Sequence, residues 1–255
     1  MNGGVETRRV FRALAVACAA ALLGACVGGM PKVPASPNAV LERADDYFRR
    51  GKEREAIALY GQYIERYPGH ERVDYAQFQL AESYFKAEEY GLAAVEYQIL
   101  IANYGYSEWV DDAVFQLGVC SWREAPRYPR DQQKSVDALG RFNQFLLTYP
   151  DHLRSAEARD YIRKINSHLA EKAYGAAKWY YRQREPRAAL VYCEKIIREY
   201  PDNEFWAQAL LLKGQILADR GDTEGAIQQF TQVIAYPGDL PQKKEAERLI
   251  REVRQ

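Results

Sequence analysis

ADDYFRRGKEREAIALYGQYIERYP, residues 44–68, is a unit that recurs along this chain of 255 residues. It has small residues at Ala44 and Ala56, an aromatic residue shortly after each of them, and a closing Pro68. Two helices that cross in an antiparallel hairpin need small side chains at the crossing and bulky side chains beside it. A proline then ends the second helix because it cannot continue the hydrogen-bond ladder. The stretch therefore predicts a helical hairpin.

The same pattern returns along the rest of the chain. A shift of 37 residues superposes the small and aromatic positions of this unit on those of the next. Small residues mark five first helices, at Ala44, Ala81, Gly118, Ala177 and Gly214, and five second helices, at Ala56, Ala93, Ala138, Ala189 and Ala226. The step from Gly118 to Ala177 is 59 residues, which is 22 more than the others. Of these, 8 lie within the third hairpin and 14 lie before the fourth.

This spacing resembles the tetratricopeptide repeat, a helical hairpin of about 34 residues that stacks into arrays. The resemblance implies an all-α fold, a right-handed superhelix of five hairpins over residues 38–240. The hairpins are expected at approximately residues 38–70, 71–106, 108–152, 154–202 and 204–238. Residues 241–255 have apolar side chains at helical spacing and predict a C-terminal helix that caps the last hairpin, formed through Ala246, Leu249, Ile250 and Val253.

The N-terminus has the features of a bacterial lipoprotein signal. Arginines precede an apolar run that is too short to cross a bilayer and is typical of a secretory signal. The run ends in Leu23-Gly24-Ala25-Cys26, which resembles the lipobox. That resemblance implies that residues 1–25 are removed and that Cys26 receives a diacylglyceryl group and an N-acyl chain. The alternative is an ordinary signal peptide with a cysteine there by chance.

Several acyl chains hold a protein to a membrane far more firmly than one chain does. Val27 follows the cysteine, at the position where an aspartate commonly retains lipoproteins at the inner membrane. We therefore expect a lipid-anchored protein on the periplasmic face of the outer membrane of a Gram-negative bacterium. Residues 26–37 are rich in Gly and Pro and indicate a flexible tether.

Charge is balanced overall but unevenly distributed. The formal net charge is zero, so binding to nucleic acid is not expected. Residues 42–108 carry 13 acidic and 8 basic side chains, whereas residues 154–187 carry 4 acidic and 9 basic ones. The early part of the array should be acidic and the late part basic.

Aromatic residues recur at the positions of the early first helices that, by analogy with the fold, face the concave groove of the array. We predict that they bind an extended or aromatic-ended peptide, a set comprising Phe48, Tyr75, Phe78, Phe85, Phe115 and Trp122. The alternative is that superhelical twist buries some of these rings in the core. The corresponding positions of the fifth repeat are mostly polar.

The extra residues of the long step form two segments. The first, around residues 123–130, contains two Pro and three Arg and predicts an exposed loop, which needs no function. The second has no Pro or Gly until Gly175 and predicts that the first helix of the fourth repeat is about four turns longer. A protruding helix of this kind is a candidate for docking a partner through Arg159, Arg163, Lys164 and Lys172. The alternative is a solvated charged face.

Motifs for catalysis are absent from the sequence, so we expect a protein that is not an enzyme and holds neither a metal nor a cofactor other than the lipid on Cys26. There is no zinc-protease, CxxC, serine-hydrolase or Walker A motif. His70 and His152 occupy the same position after a closing Pro and are predicted to be structural. Cys120 and Cys193 should be buried free thiols.

Taken together, these features resemble the BamD family of outer membrane protein assembly lipoproteins. Local sequence adds to the resemblance: residues 130–132, RDQ, with residues 138–152, ALGRFNQFLLTYPDH, and residues 177–202, AKWYYRQREPRAALVYCEKIIREYPD. The family implies a scaffold whose early repeats receive the targeting segment of unfolded outer-membrane β-barrel proteins. Its late repeats dock to a POTRA domain of BamA, alongside other BAM lipoproteins. The loop in the third hairpin is shorter here than in well-known members and the cap helix is additional.

Two alternatives have different functions. One is another tetratricopeptide outer-membrane lipoprotein, such as a secretin pilotin or a cell-envelope coordinator, although pilotins usually have even repeat spacing. The other is a lytic transglycosylase with a helical solenoid. That enzyme needs a lysozyme-like domain, and the repeats leave no length for one.

Overall fold

The computed structural model describes residues 36–125 and 132–255. Within these ranges the chain forms eleven α-helices and no strand. They are α1 Pro37–Arg49, α2 Glu53–Arg66, α3 Val73–Lys86, α4 Tyr90–Asn103, α5 Val110–Arg123, α6 Gln133–Thr148, α7 Ser155–Arg182, α8 Pro186–Glu199, α9 Glu204–Asp219, α10 Thr223–Ala235 and α11 Gln242–Val253. The predicted signal, Cys26 and most of the tether lie outside the described residues, as does the centre of the loop in the third hairpin.

Residues in the left-handed conformation close the turns within four of the hairpins. Gly51, Glu88, Arg184 and Gly221 have φ values of 65°, 61°, 60° and 82°. Each lies seven positions after the small residue that marks its first helix. Glycine adopts this conformation without strain, whereas Glu88 and Arg184 adopt it against their own preference. The turn geometry is therefore imposed by the packing of the two helices.

The chain divides into two compact units, Met1–Ala76 and Gln77–Gln255. The described part of the first unit contains α1 and α2, whose buried faces include Leu41, Ala44, Ala56 and Tyr60. The second unit has four successive apolar cores, centred on α4, on α6 and α7, on α7 and α8, and on α9 and α10. An all-helical fold of tetratricopeptide hairpins, predicted from the repeat spacing, is confirmed.

Glycine replaces alanine at the helix crossings of the third and fifth hairpins because a phenylalanine lies there. A Cβ on Gly118 would lie 2.9 Å from the ring of Phe142, and a Cβ on Gly214 would lie 2.3 Å from the ring of Phe230. Both rings are fully buried. The rings cannot move aside, so only glycine fits at these two positions.

Gly214→Ala is expected to lower the free energy of unfolding by about 1–3 kcal/mol, because the added methyl group overpacks the core at Phe230. Gly140→Ala is the matched control, since a Cβ at this exposed position of α6 meets nothing within 4 Å. The control should raise stability by up to about 1 kcal/mol through helix propensity alone. Urea denaturation followed by circular dichroism measures both. Equal effects of the two substitutions would contradict the overpacking.

The helix α7 is 28 residues long, so the predicted extension of the fourth repeat's first helix is confirmed. The expectation that its added turns protrude is wrong. Its N-terminal half packs on the third hairpin, where Ala158, Ile165 and Leu169 join Phe142 and Phe145 in one core. The extension covers apolar surface that would otherwise be exposed.

The cap helix α11 packs on the last hairpin as predicted. Ala246 and Leu249 are buried in the core of α9 and α10, and Ile250 and Val253 pack against it. On the outer face, the Arg248 guanidinium forms ion pairs with Glu245 and Glu252. The array thus ends in a helix with one apolar and one charged face.

Candidate functional site

Two of the six aromatic residues predicted to face a peptide groove lie in the core. Phe115 is fully buried, and its ring centroid lies 5.4 Å from that of Phe142. Phe78 is 8% exposed and stacks on Trp109 at 5.0 Å. The prediction that Phe78 and Phe115 contact a peptide is therefore wrong, because neighbouring helices cover both rings.

The other four aromatic residues are half-buried: Phe48, Tyr75, Phe85 and Trp122. The Tyr75 hydroxyl donates to Asp45 Oδ1 at 2.9 Å. Phe85 packs edge-on against Tyr90, and Trp122 packs edge-on against His168, with centroids 5.2 and 5.7 Å apart. Their role in peptide binding stays a prediction.

Carboxylates hold the buried tyrosines of the first two repeats. Asp45 accepts from Tyr60 at 2.6 Å as well as from Tyr75, and burial, reinforced by Asp45, raises the pKa of Tyr75 to about 12. In the second repeat, Glu82 accepts from Tyr97 and, at 2.8 Å, from Gln116 Nε2. These two acids lie 37 residues apart, at the same repeat position. They serve the packing of the hairpins.

The four basic residues proposed for docking do not share one surface. Arg159, Arg163 and Lys164 are exposed, whereas Lys172 is half-buried. Arg163 already forms an ion pair with Asp160. Lys172 follows Arg163 by nine residues, about two and a half turns, which places it on the opposite side of α7.

A histidine and two aspartates meet near the start of α5. His152 Nε2 lies 3.2 Å from Asp111 Oδ2, and Arg154 lies 3.5 Å from Asp112. The His152 Nδ1 atom accepts from the Arg154 amide at 3.1 Å. Arg154 already pairs with Asp112, and His152 contacts Asp111. These two contacts link the turn before α7 to the start of α5. His70 is likewise held in its turn by the Tyr63 hydroxyl at 2.6 Å.

Both cysteines of the described residues are free and buried, as predicted. Burial raises the pKa of the Cys120 and Cys193 thiols to about 12. Thiols of such high pKa are poor nucleophiles at neutral pH.

An open groove between α7 and α9 was missed by the sequence interpretation. One hollow of about 480 Å³ is lined by Glu171, Tyr174, Gly175, Lys178, Trp179, Arg182, Phe205 and Gln208. A second of about 440 Å³ is lined by Tyr181, Arg182, Arg184, Pro186, Ile216, Asp219 and Arg220. Arg182 lines both. We call these two hollows together the α7–α9 groove.

The signal for this groove is present in the sequence. Glu171 occupies the repeat position of Tyr75, and Tyr174 occupies that of Phe78 and Phe115, at least 59 residues further along. Lys178 and Arg182 follow Tyr174 by about one and two turns of the same helix. The position that holds Asp45 and Glu82 in the first two repeats holds Lys178 in the fourth. The charge at this position is reversed along the array.

None of the described helices combines the length and the apolar character that a bilayer crossing requires. The hairpins of residues 36–125 and 132–255 define an all-helical repeat protein of the tetratricopeptide class, a fold that presents surfaces for binding other proteins. The family model YfiO, described as an outer membrane lipoprotein, matches residues 34–233. The chain belongs to this family of outer membrane lipoproteins.

No curated protein is a significant match to the sequence. Among solved structures, a TPR repeats protein from Bacteroides fragilis NCTC 9343 is 10% identical, with 87% of this chain and 99% of that chain covered and a TM-score of 0.49. The TPR2AB domain of yeast Sti1 in complex with pHSP90 is 13% identical, with 78% and 76% covered and a TM-score of 0.44. At these scores, neither structure indicates what this chain binds.

Proposed function

We propose that this chain is a non-catalytic scaffold of the outer-membrane β-barrel assembly (BAM) complex, corresponding to BamD. It would be anchored through lipid on Cys26, on the periplasmic face of the outer membrane. Its early repeats would receive the targeting segments of unfolded β-barrel proteins. Its late repeats would dock to the POTRA domain of BamA, beside other BAM lipoproteins.

The match of residues 34–233 to a family of outer membrane lipoproteins carries this proposal. The lipobox-like Leu23-Gly24-Ala25-Cys26 supplies a thiol for acylation, and Val27 is compatible with sorting to the outer membrane. The half-buried Phe48, Tyr75, Phe85 and Trp122 are the remaining candidates for the substrate surface. The exposed Arg159, Arg163 and Lys164 are the remaining candidates for docking.

Affinity purification of the full-length protein from detergent-solubilised membranes tests the proposal. The wild-type protein should recover BamA and carry labelled palmitate. Cys26→Ser should lose the label and move to the soluble fraction, because no acyl chain remains to hold it. Cys18→Ser is the matched control, since this cysteine lies within the expected signal and should leave the label unchanged.

The same preparation tests the substrate surface. A photoreactive residue at Phe85 should crosslink to a peptide that ends in an aromatic residue, and one at the buried Phe115 should not. Recovery of a secretin without BamA would instead favour the pilotin alternative. Equal crosslinking of peptides with and without the terminal aromatic residue would argue against substrate binding at Phe85.

A further inference from the structure

We propose that the α7–α9 groove binds an acidic peptide segment that contains an aromatic residue, supplied by a partner protein. The groove is separate from the residues to which the proposed function assigns substrate and BamA. It lies on the C-terminal half of α7 and along α9, whereas those residues lie on α1, α3, α5 and mainly the N-terminal half of α7. The groove lies in the late repeats, but the inference rests on its own lining residues and not on the candidate docking residues Arg159, Arg163 and Lys164.

The dimensions of the groove suit an extended peptide. Its two hollows share Arg182 and follow α7 from Glu171 to the turn at Arg184. Residues 171–182 alone span roughly 16 Å of helix, at a rise of about 1.5 Å per residue. An extended chain advances about 3.3 Å per residue, so the groove has room for about five residues.

Positive charge dominates the groove. Four basic side chains line it, Lys178, Arg182, Arg184 and Arg220, against two acidic ones, Glu171 and Asp219. Asp219 is engaged by the Tyr181 hydroxyl, which donates to its Oδ2 at 2.6 Å. That hydrogen bond is the main reason why the pKa of Tyr181 is raised to about 12.

The arginines of the groove are available to a ligand. Across residues 36–125 and 132–255, Arg182, Arg184 and Arg220 have no carboxylate within 4.0 Å, whereas Arg163 and Arg248 on outer faces are paired with acids. Carboxylates of a bound segment would accept charge-assisted hydrogen bonds from these guanidinium groups. Charge complementarity thus favours an acidic occupant.

Aromatic side chains give the groove an apolar component. Trp179 is 55% exposed, although its ring is fixed edge-on against Tyr180 at 4.8 Å. Tyr180 is in turn stacked on Tyr192 at 5.5 Å. Tyr174 and Phe205 lie 5.7 Å apart within the first hollow. An exposed, pre-positioned tryptophan is typical of a binding hot spot and favours an aromatic residue in the ligand.

A peptide fits these features better than a membrane surface does. Anionic headgroups would need only the cations, and a flat bilayer would not enter a concave groove between two helices. Only a peptide that carries both carboxylates and an aromatic ring would contact the cations, the fixed aromatic rings and the concave surface together. A membrane is therefore kept as the competing outcome of the test.

Fluorescence anisotropy with the full-length protein in detergent tests this inference. The probe is a labelled peptide of Asp and Glu residues around one Phe, compared with a peptide in which Ala replaces the Phe. The double variant Arg182→Glu, Arg220→Glu should weaken binding of the Phe peptide by about tenfold, because attraction becomes repulsion. The loss should shrink as salt rises from about 0.05 M to about 0.5 M, since salt screens exposed charges.

Matched variants separate the site from general charge. The control is the double variant Arg54→Glu, Arg66→Glu, at two exposed positions of α2. It makes the same change in net charge and should leave binding of the Phe peptide unchanged. Trp179→Ala should remove the preference for the Phe peptide. The inference is overturned if both double variants weaken binding equally. A second result would also overturn it: the two peptides bind with equal affinity, and the double variant Arg182→Glu, Arg220→Glu loses binding to phosphatidylglycerol vesicles. That result would indicate a membrane contact.

Discussion

Phe115→Ala is expected to lower the free energy of unfolding by about 3–5 kcal/mol, the usual cost of removing a fully buried phenylalanine. The ring of Phe115 makes edge contacts with Phe142 and Phe145, and the Arg154 guanidinium lies 3.7 Å from its centroid. Its loss would leave a cavity between α5 and α6 of the third hairpin and α7. Urea denaturation with circular dichroism detection measures the effect.

Phe85→Ala provides the comparison, because its half-buried ring was assigned to the same groove from sequence. It should cost clearly less stability than Phe115→Ala, and Phe115→Leu should recover part of the loss by filling the cavity. If Phe115→Ala left stability unchanged and reduced only peptide binding, its assignment to the core would be wrong.

Glu82→Ala is expected to cost about 2–4 kcal/mol, because it removes the acceptor of two donors, Tyr97 and Gln116. Tyr97 is fully buried, so no water can replace the lost acceptor at its hydroxyl. Burial, followed by the nearby Glu82 charge, raises the pKa of Tyr97. The protonated hydroxyl therefore contributes its stability below its ordinary pKa of about 10 and loses it as the pH rises through the raised value.

A double-mutant cycle at neutral pH isolates this interaction. Tyr97→Phe removes the donor without leaving a polar group behind and should cost only about 1 kcal/mol. In the Tyr97→Phe background, Glu82→Ala should cost less than it does in the wild type, since one of its two donors is gone. Additive losses would show that Glu82 and Tyr97 are not coupled.

The hairpins could be predicted because their signals are local. Small residues at Ala44 and Ala56 define the crossing within one hairpin, and an apolar stripe without Pro or Gly indicates the extension of α7. The burial of Phe115 could not be predicted in this way, because it depends on the helix that packs against the third hairpin. Tyr161, at the start of α7, stacks on Phe142 at 4.8 Å and covers this part of the third hairpin. The repeat pattern of the third hairpin contains no information about that contact.

The α7–α9 groove lies between these cases. Tyr174 occupies the repeat position of Phe78 and Phe115, and Lys178 occupies that of Asp45 and Glu82, so both could have been found by extending the pattern to the fourth repeat. Whether the arginines of the groove are paired with acids could not be predicted from sequence. Only the folded chain shows that Asp219 accepts a hydrogen bond from Tyr181.

The helix α7 contributes to two cores, through Ile165 and Leu169 to the core around Phe142 and through Ala173 and Ala177 to the next core. Neighbouring repeats are ordinarily coupled only through their interface and can open one at a time. Here one continuous helix, α7, contributes to the cores of both the third and the fourth hairpin. These two hairpins should therefore unfold together as one cooperative unit. A force applied to the chain should therefore unfold the third and fourth hairpins in one step and not one after the other.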